Sequence, residues 1–279
     1  MLALGAISDQ DGSYCAIEVH LEQLVPFLIN KLDGGREDVR ATTCWTLSKF
    51  SEWIGNNDSE QNQQIFLLYH SRLVQKMADP DENVQEAACN AYSQLVEAVP
   101  EKCQPHLLEL LNVLNSAIDN YQDGPLIAMF DCIGSIAQAV GDGLNNPEII
   151  GTLLPLLSKK WEQFDDSNRS LLTLFECFES VISAIKEAIE PYAKNIFDRC
   201  IKILTNVLKT IKSDDFENIY EETDFYIRSM DLITQIMQAL NERAEPIVMQ
   251  SDLIPILREY LNLRDLLMKQ YVFSMVGDL

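Results

Sequence analysis

Basic residues are the first shortage. The 279 residues hold 21 Lys and Arg against 43 Asp and Glu, a formal net charge of −22 with histidine neutral. So anionic a chain repels phosphate backbones and anionic headgroups, which argues against nucleic acid or membrane as a direct ligand; it attracts cationic partners and speeds their encounter. Histidine is also scarce. His20, His70 and His106 are scattered and none has a metal-ligand partner four residues on, so no metal site is expected. Seven cysteines (Cys15, Cys44, Cys89, Cys103, Cys132, Cys177, Cys200) stand singly, with no Cys-x-x-Cys among them. An odd number of isolated thiols in apolar helical patterns reads as buried free cysteine in a reducing compartment.

Catalytic signatures are missing too. There is no Gly-x-x-x-x-Gly-Lys loop, no Gly-x-Ser-x-Gly elbow and no His-Glu-x-x-His, so no enzyme activity and no cofactor is expected. No apolar run approaches the ~20 residues of a membrane span. Met1-Leu-Ala-Leu-Gly-Ala-Ile7 lacks the basic and hydrophobic regions of a signal peptide. Neither end carries a polar capping repeat, so the chain is expected to be a fragment truncated at both ends.

What the chain has is a helical period. Asp38–Trp53 places Val39, Ala41, Cys44, Leu47, Ser48 and Phe50 on a packing side, and Thr42, Trp45, Lys49 and Glu52 on a second stripe. The pattern returns 45 residues later, where Glu37, Val39, Cys44 and Ser48 correspond to Glu82, Val84, Cys89 and Ser93. Helix pairs at this period are the signature of HEAT or armadillo arrays. The sequence therefore predicts an all-α fold, an α-solenoid of about six HEAT repeats in a right-handed superhelix, running as one continuous array over 1–279. Outer (A) helices are expected near 18–33, 60–78, 102–121, 147–163, 190–212 and from 252. Inner (B) helices are expected near 38–54, 82–99, 125–141, 167–189 and 222–242. Pro26, Pro155 and Pro255 recur in similar Leu-rich surroundings and predict a kink in three A helices.

The B helices are expected to line a concave binding wall. Their polar stripe reads Thr42, Trp45, Lys49; Glu86, Asn90, Ser93, Glu97; Asp131, Ser135, Gln138; Glu176, Ser180; Asp231, Gln235; and Asp278. Glu176 and Asp231 interrupt apolar runs, where a carboxylate is costly unless it faces solvent or a partner. An indole at one end and carboxylates beyond it suit an extended cationic peptide. The tryptophan would carry about 2–4 kcal/mol as an anchor, and each exposed ion pair roughly 0.2–1 kcal/mol.

Thr43-Cys-Trp-Thr-Leu-Ser-Lys49, Val84-Gln-Glu-Ala-Ala-Cys89, Asp131-Cys-Ile-Gly-Ser-Ile-Ala137 and the closing Gly277-Asp-Leu279 resemble the transportin (karyopherin beta-2, importin beta-2) family. The resemblance implies the central to C-terminal part of a nuclear import receptor that binds basic/Pro-Tyr-type nuclear localisation signals of cargo, RNA-binding proteins included. It further implies traffic between cytoplasm and nucleus, and Ran-GTP and nucleoporins as partners of the full-length protein. By position, Trp45, Thr42 and Ala87 would flank the Pro-Tyr end. Glu86, Glu97 and Asp131 would meet the preceding arginine, and Glu176, Asp231 and Asp278 the upstream basic or hydrophobic segment. The family tends to have isoleucine at Thr42, arginine at Lys49 and an acid at Gln138. A competing reading is a HEAT scaffold subunit of the phosphatase-scaffold type, contacting partners through inter-helix loops.

Overall fold

The computed structural model describes residues 17–56, 59–212 and 219–278, and every regular element among them is helical. The chain divides into two compact units, residues 1–156 and 157–279, with the boundary inside one helix.

The first unit contains α1 (Leu21–Lys31), α2 (Glu37–Ser48), α3 (Ser51–Asn56), α4 (Glu60–Met77), α5 (Glu82–Ala98), α6 (Pro100–Cys103), α7 (Leu107–Ala117) and α8 (Asp123–Val140). α9 (Pro147–Gln163) spans the boundary. Two layers emerge from the packing. α1 touches α4 and α4 touches α7 in one layer; α2 touches α5 and α5 touches α8 in the other. The contacts of α1 with α2 and of α4 with α5 join the layers. This is the HEAT pairing expected from the 45-residue period.

The second unit repeats the plan with α10 (Ser170–Ile185), α11 (Glu190–Lys212), α12 (Ile219–Leu240), α13 (Glu245–Met249), α14 (Leu253–Asn262) and α15 (Leu266–Asp278). There α11 packs on α14, while α12 lies between α10 and α15. The fold is an α-solenoid.

Local chemistry sets the helix ends. Asp81 caps α5, accepting from the backbone N–H of Asn83 at 3.1 Å and of Val84 at 3.2 Å. Ser59 caps α4 by accepting from Asn62 N–H. The helix expected over 38–54 is broken at Lys49–Phe50 into α2 and α3. Before the break, Thr43 and Thr46 donate their hydroxyls to the carbonyls of Val39 and Thr42, and Ser48 donates to that of Trp45. Such back-bonding competes with the helical ladder. Of the three prolines, Pro26 and Pro155 lie inside helices, but Pro255 falls in the first turn of α14, where a missing N–H costs nothing. The three-fold recurrence therefore corrects to two interior prolines.

Asp123–Leu144 is, by length and composition, long and apolar enough to cross a membrane, contrary to the expectation from the sequence. Leu126, Met129, Phe130, Ile133 and Ile136 are buried in packing, while Ile127 is exposed. Cys44, Cys89, Cys103, Cys132, Cys177 and Cys200 are buried and free. Burial pushes the thiols of Cys44, Cys103 and Cys132 up to about 12, so none is a nucleophile at neutral pH. Cys15 lies outside the described residues.

Successive repeats are stitched by buried polar contacts. Tyr121 donates to the Met77 carbonyl at 2.6 Å, Tyr260 to that of Leu204 and Tyr226 to that of Met268. Arg40 of α2 forms a two-pronged pair with Asp79, at 2.7 and 2.9 Å, in the turn between α4 and α5. It also donates to the carbonyls of Gly34 and Gly35. Asp79 is almost wholly buried, and removing Arg40 takes away its two closest donors, leaving only Lys76 at 3.6 Å and the Asp81 N–H at 3.2 Å to hold a carboxylate out of water. Arg40→Ala is expected to lower unfolding stability by about 3 kcal/mol in urea denaturation. Arg36→Ala, which breaks only the exposed pair with Asp38, should change it by less than about 0.5 kcal/mol.

Candidate functional site

Helix α5 buries Val84, Ala88, Cys89, Tyr92, Leu95 and Val96, and its period leaves Glu86, Asn90 and Glu97 exposed on another face. Trp45 and Lys49 from the end of α2, and Asp131 and Ser135 from α8, flank that face. Together they line an open groove of about 490 Å³ whose floor includes Ala87 and Ala91. Small residues on α5 leave room between its two flanking helices.

Three carboxylates and one ammonium meet in the groove. Ser135 donates to one oxygen of Glu97 at 2.8 Å, and Gln94 donates to the other at 3.2 Å. Glu86 reaches over Gly124 at the start of α8; a Cβ there would come within 2.8 Å of the carboxylate. Trp45 is half-buried, one ring face exposed to a cation: Lys49 Nζ stands 5.5 Å from the ring centroid.

Trp45, Lys49, Glu86, Ala87, Glu97 and Asp131 are thus brought together. Thr42, half-buried one turn before Trp45, does not line the groove. Glu176 and Asp231 belong to the second unit. The side chain of Asp278 lies outside the described residues.

In the second unit the sequence reading missed two partners. Arg228 of α12 forms an ion pair with Glu176 of α10 and lies 3.8 Å from Glu179. Glu176 is therefore paired with a cation from a neighbouring helix. Burial lifts Glu179 to about 7 against the pull of Arg228, with the charges of Asp231 and Glu176 adding to the lift. Burial likewise raises Asp231, opposed by Arg228. The clue to Glu179 was its place one turn after Glu176, but only the fold supplies its burial.

A third cluster gathers residues that lie far apart in the sequence. His70 of α4, His106 in the 3-10 turn between α6 and α7, and Glu109 of α7 have ligand atoms all within 4.8 Å of one another. His70 is 2% exposed. Burial, with His106 adding to it, pushes its imidazole down to about 4.

Glu179 yields a pH prediction. The folded carboxyl keeps its proton up to about 7, while the unfolded one ionises near 4.5. Between those values the folded chain binds more protons, so this residue's contribution to stability falls as pH rises. Glu179→Gln removes that dependence. The stability of the variant relative to the parent should grow by roughly 1–3 kcal/mol from pH 4.5 to pH 8. The oppositely signed contribution of His70 is common to both chains and cancels.

A profile of the HEAT-like repeat family matches residues 1–50. The transportin of Dictyostelium discoideum is 32% identical over 284 residues, covering 100% of this chain and 30% of that protein. Human transportin-1 is 30% identical, over 100% of this chain and 31% of its own length. Importin subunit beta-2 of Schizosaccharomyces pombe is 31% identical, over 90% and 28%. The chain spans about 30% of the length of the curated relatives it matches. Among solved structures, importin beta crystallised in a polyethylene glycol condition superposes with a TM-score of 0.66 at 17% identity, over 99% of this chain and 34% of that one. A designed armadillo repeat protein, solved in complex with the peptide (KR)4, gives 0.60 at 16%, over 91% and 98%. Those two likenesses bear on the fold. Aligned from end to end with a segment of its relatives, the chain belongs to the transportin/importin beta-2 family.

Proposed function

We propose that the chain is a cargo-binding segment of a nuclear import receptor, and that its first-unit groove takes the basic/Pro-Tyr end of a nuclear localisation signal. The observation that carries this reading is the meeting of Trp45 with Glu86, Glu97 and Asp131 in one open groove. The indole and Ala87 offer an apolar wall for a Pro-Tyr pair, and the carboxylates face the guanidinium before it. Lys49, seated on the indole, swings aside or is left on the opposite ring face. Glu176 and Asp231 take the upstream basic or hydrophobic segment, where an incoming cation adds to the single Arg228 among three acids. Family membership supports the transport role. Ran-GTP, nucleoporins, RNA-binding cargo and passage between cytoplasm and nucleus belong to the proposal for the whole receptor, of which this chain is about 30%.

The test is a titration of the chain with a fluorescently labelled basic Pro-Tyr peptide, read by anisotropy at about 0.15 M salt. Trp45→Ala combined with Asp131→Ala should weaken binding by more than tenfold, or about 1.4 kcal/mol. Affinity should fall steeply as salt is raised. A double variant that binds as tightly as the parent refutes the groove. Loss of binding only on altering inter-helix loops favours a scaffold instead.

A further inference from the structure

His70 is the most completely buried of the three histidines' described side chains, and its two ring nitrogens have different surroundings. Nδ1 lies 3.3 Å from the hydroxyl of Tyr92 on α5. Nε2 is buried without a hydrogen-bond partner. A buried polar nitrogen left unmade costs about 1–3 kcal/mol. It points toward the His106 ring, whose centroid is 4.8 Å from its own, and toward Glu109 Oε2 at 3.8 Å.

We propose that His70, His106 and Glu109 form a binding site for a divalent late transition-metal ion of the zinc type. Imidazole and carboxylate are the donors such ions accept, and three protein ligands with one open position is a familiar zinc arrangement. A tetrahedral ion with bonds near 2.0–2.2 Å holds its ligand atoms roughly 3.3 Å apart. The present spread, up to 4.8 Å, closes by rotation of the half-exposed His106 and the exposed Glu109 onto the fixed His70. Tyr92 serves as the outer partner. With Nδ1–H donating to its oxygen, the Nε2 lone pair is turned toward the other two ligands.

The site has a structural consequence. His70 belongs to α4, and Glu109 belongs to α7, the neighbouring helix of the same layer. An ion there ties two consecutive repeats on the far side of α5 from the groove, since Tyr92 is buried while Glu86 and Glu97 are exposed. Because the ion binds the folded chain, it raises stability by mass action.

Co2+ titration of the metal-stripped full chain tests this. Saturable one-to-one binding is expected, with visible ligand-field bands of a tetrahedral nitrogen/oxygen site and no near-ultraviolet thiolate charge-transfer band. His106→Ala and Glu109→Ala alter accessible positions and should each weaken Co2+ binding at least tenfold while leaving the helical circular dichroism unchanged. Zn2+ should raise the melting temperature of the parent and not that of His106→Ala. Absence of saturable binding, binding undiminished in both variants, or a thiolate band would each overturn the assignment.

Discussion

One helix has to satisfy several neighbours and still leave a face open. α5 packs against α2, α4 and α8 at once. Its apolar residues recur at three and four positions, and the intervening Glu86, Asn90 and Glu97 are left exposed. Burial of Val84, Tyr92, Leu95 and Val96 fixes where those carboxylates point. The groove is the residue of that packing: a channel as wide as the small side chains Ala87 and Ala91 allow. Excess negative charge and a half-buried indole then give the channel a chemistry suited to an extended cationic chain.

Ion pairing has a different weight at the edges of the repeats. Arg40 and Asp79 are both nearly out of water and tie α2 to the turn before α5. Arg199 does comparable work in the second unit. It pairs with Asp166 at 2.8 Å, donates to the carbonyls of Trp161 and Phe164, and lies 4.7 Å over the Trp161 ring. Trp161 is sealed between Phe175 and Phe178 and belongs to the core, whereas Trp45 belongs to a wall. Of these two tryptophans, one fills the core and the other lines the groove proposed for recognition.

Much of this architecture is local and therefore readable from sequence. Apolar periodicity located the helix pairs, because it depends on residues within a few positions of one another. The break at Lys49–Phe50 was hidden because Thr43, Thr46 and Ser48 look compatible with a helix until their hydroxyls are seen bonding back to it. The partners of Glu176 and His70 were hidden for another reason. Arg228 and His106 reach them from separate helices, and spacing along the chain carries no trace of that approach. Gathering Trp45, Glu86 and Asp131 into one groove needed the layer order of α2, α5 and α8 as well as the stripe on each helix.

The groove's recognition of a cationic chain is tested most directly by a double-mutant cycle between Asp131 and the arginine preceding Pro-Tyr in a bound peptide. Replacing each by alanine, singly and together, isolates their mutual energy from the rest of the contact. The account predicts a coupling of at least about 1 kcal/mol. Strict additivity of the two substitutions, with the peptide still bound, would contradict it.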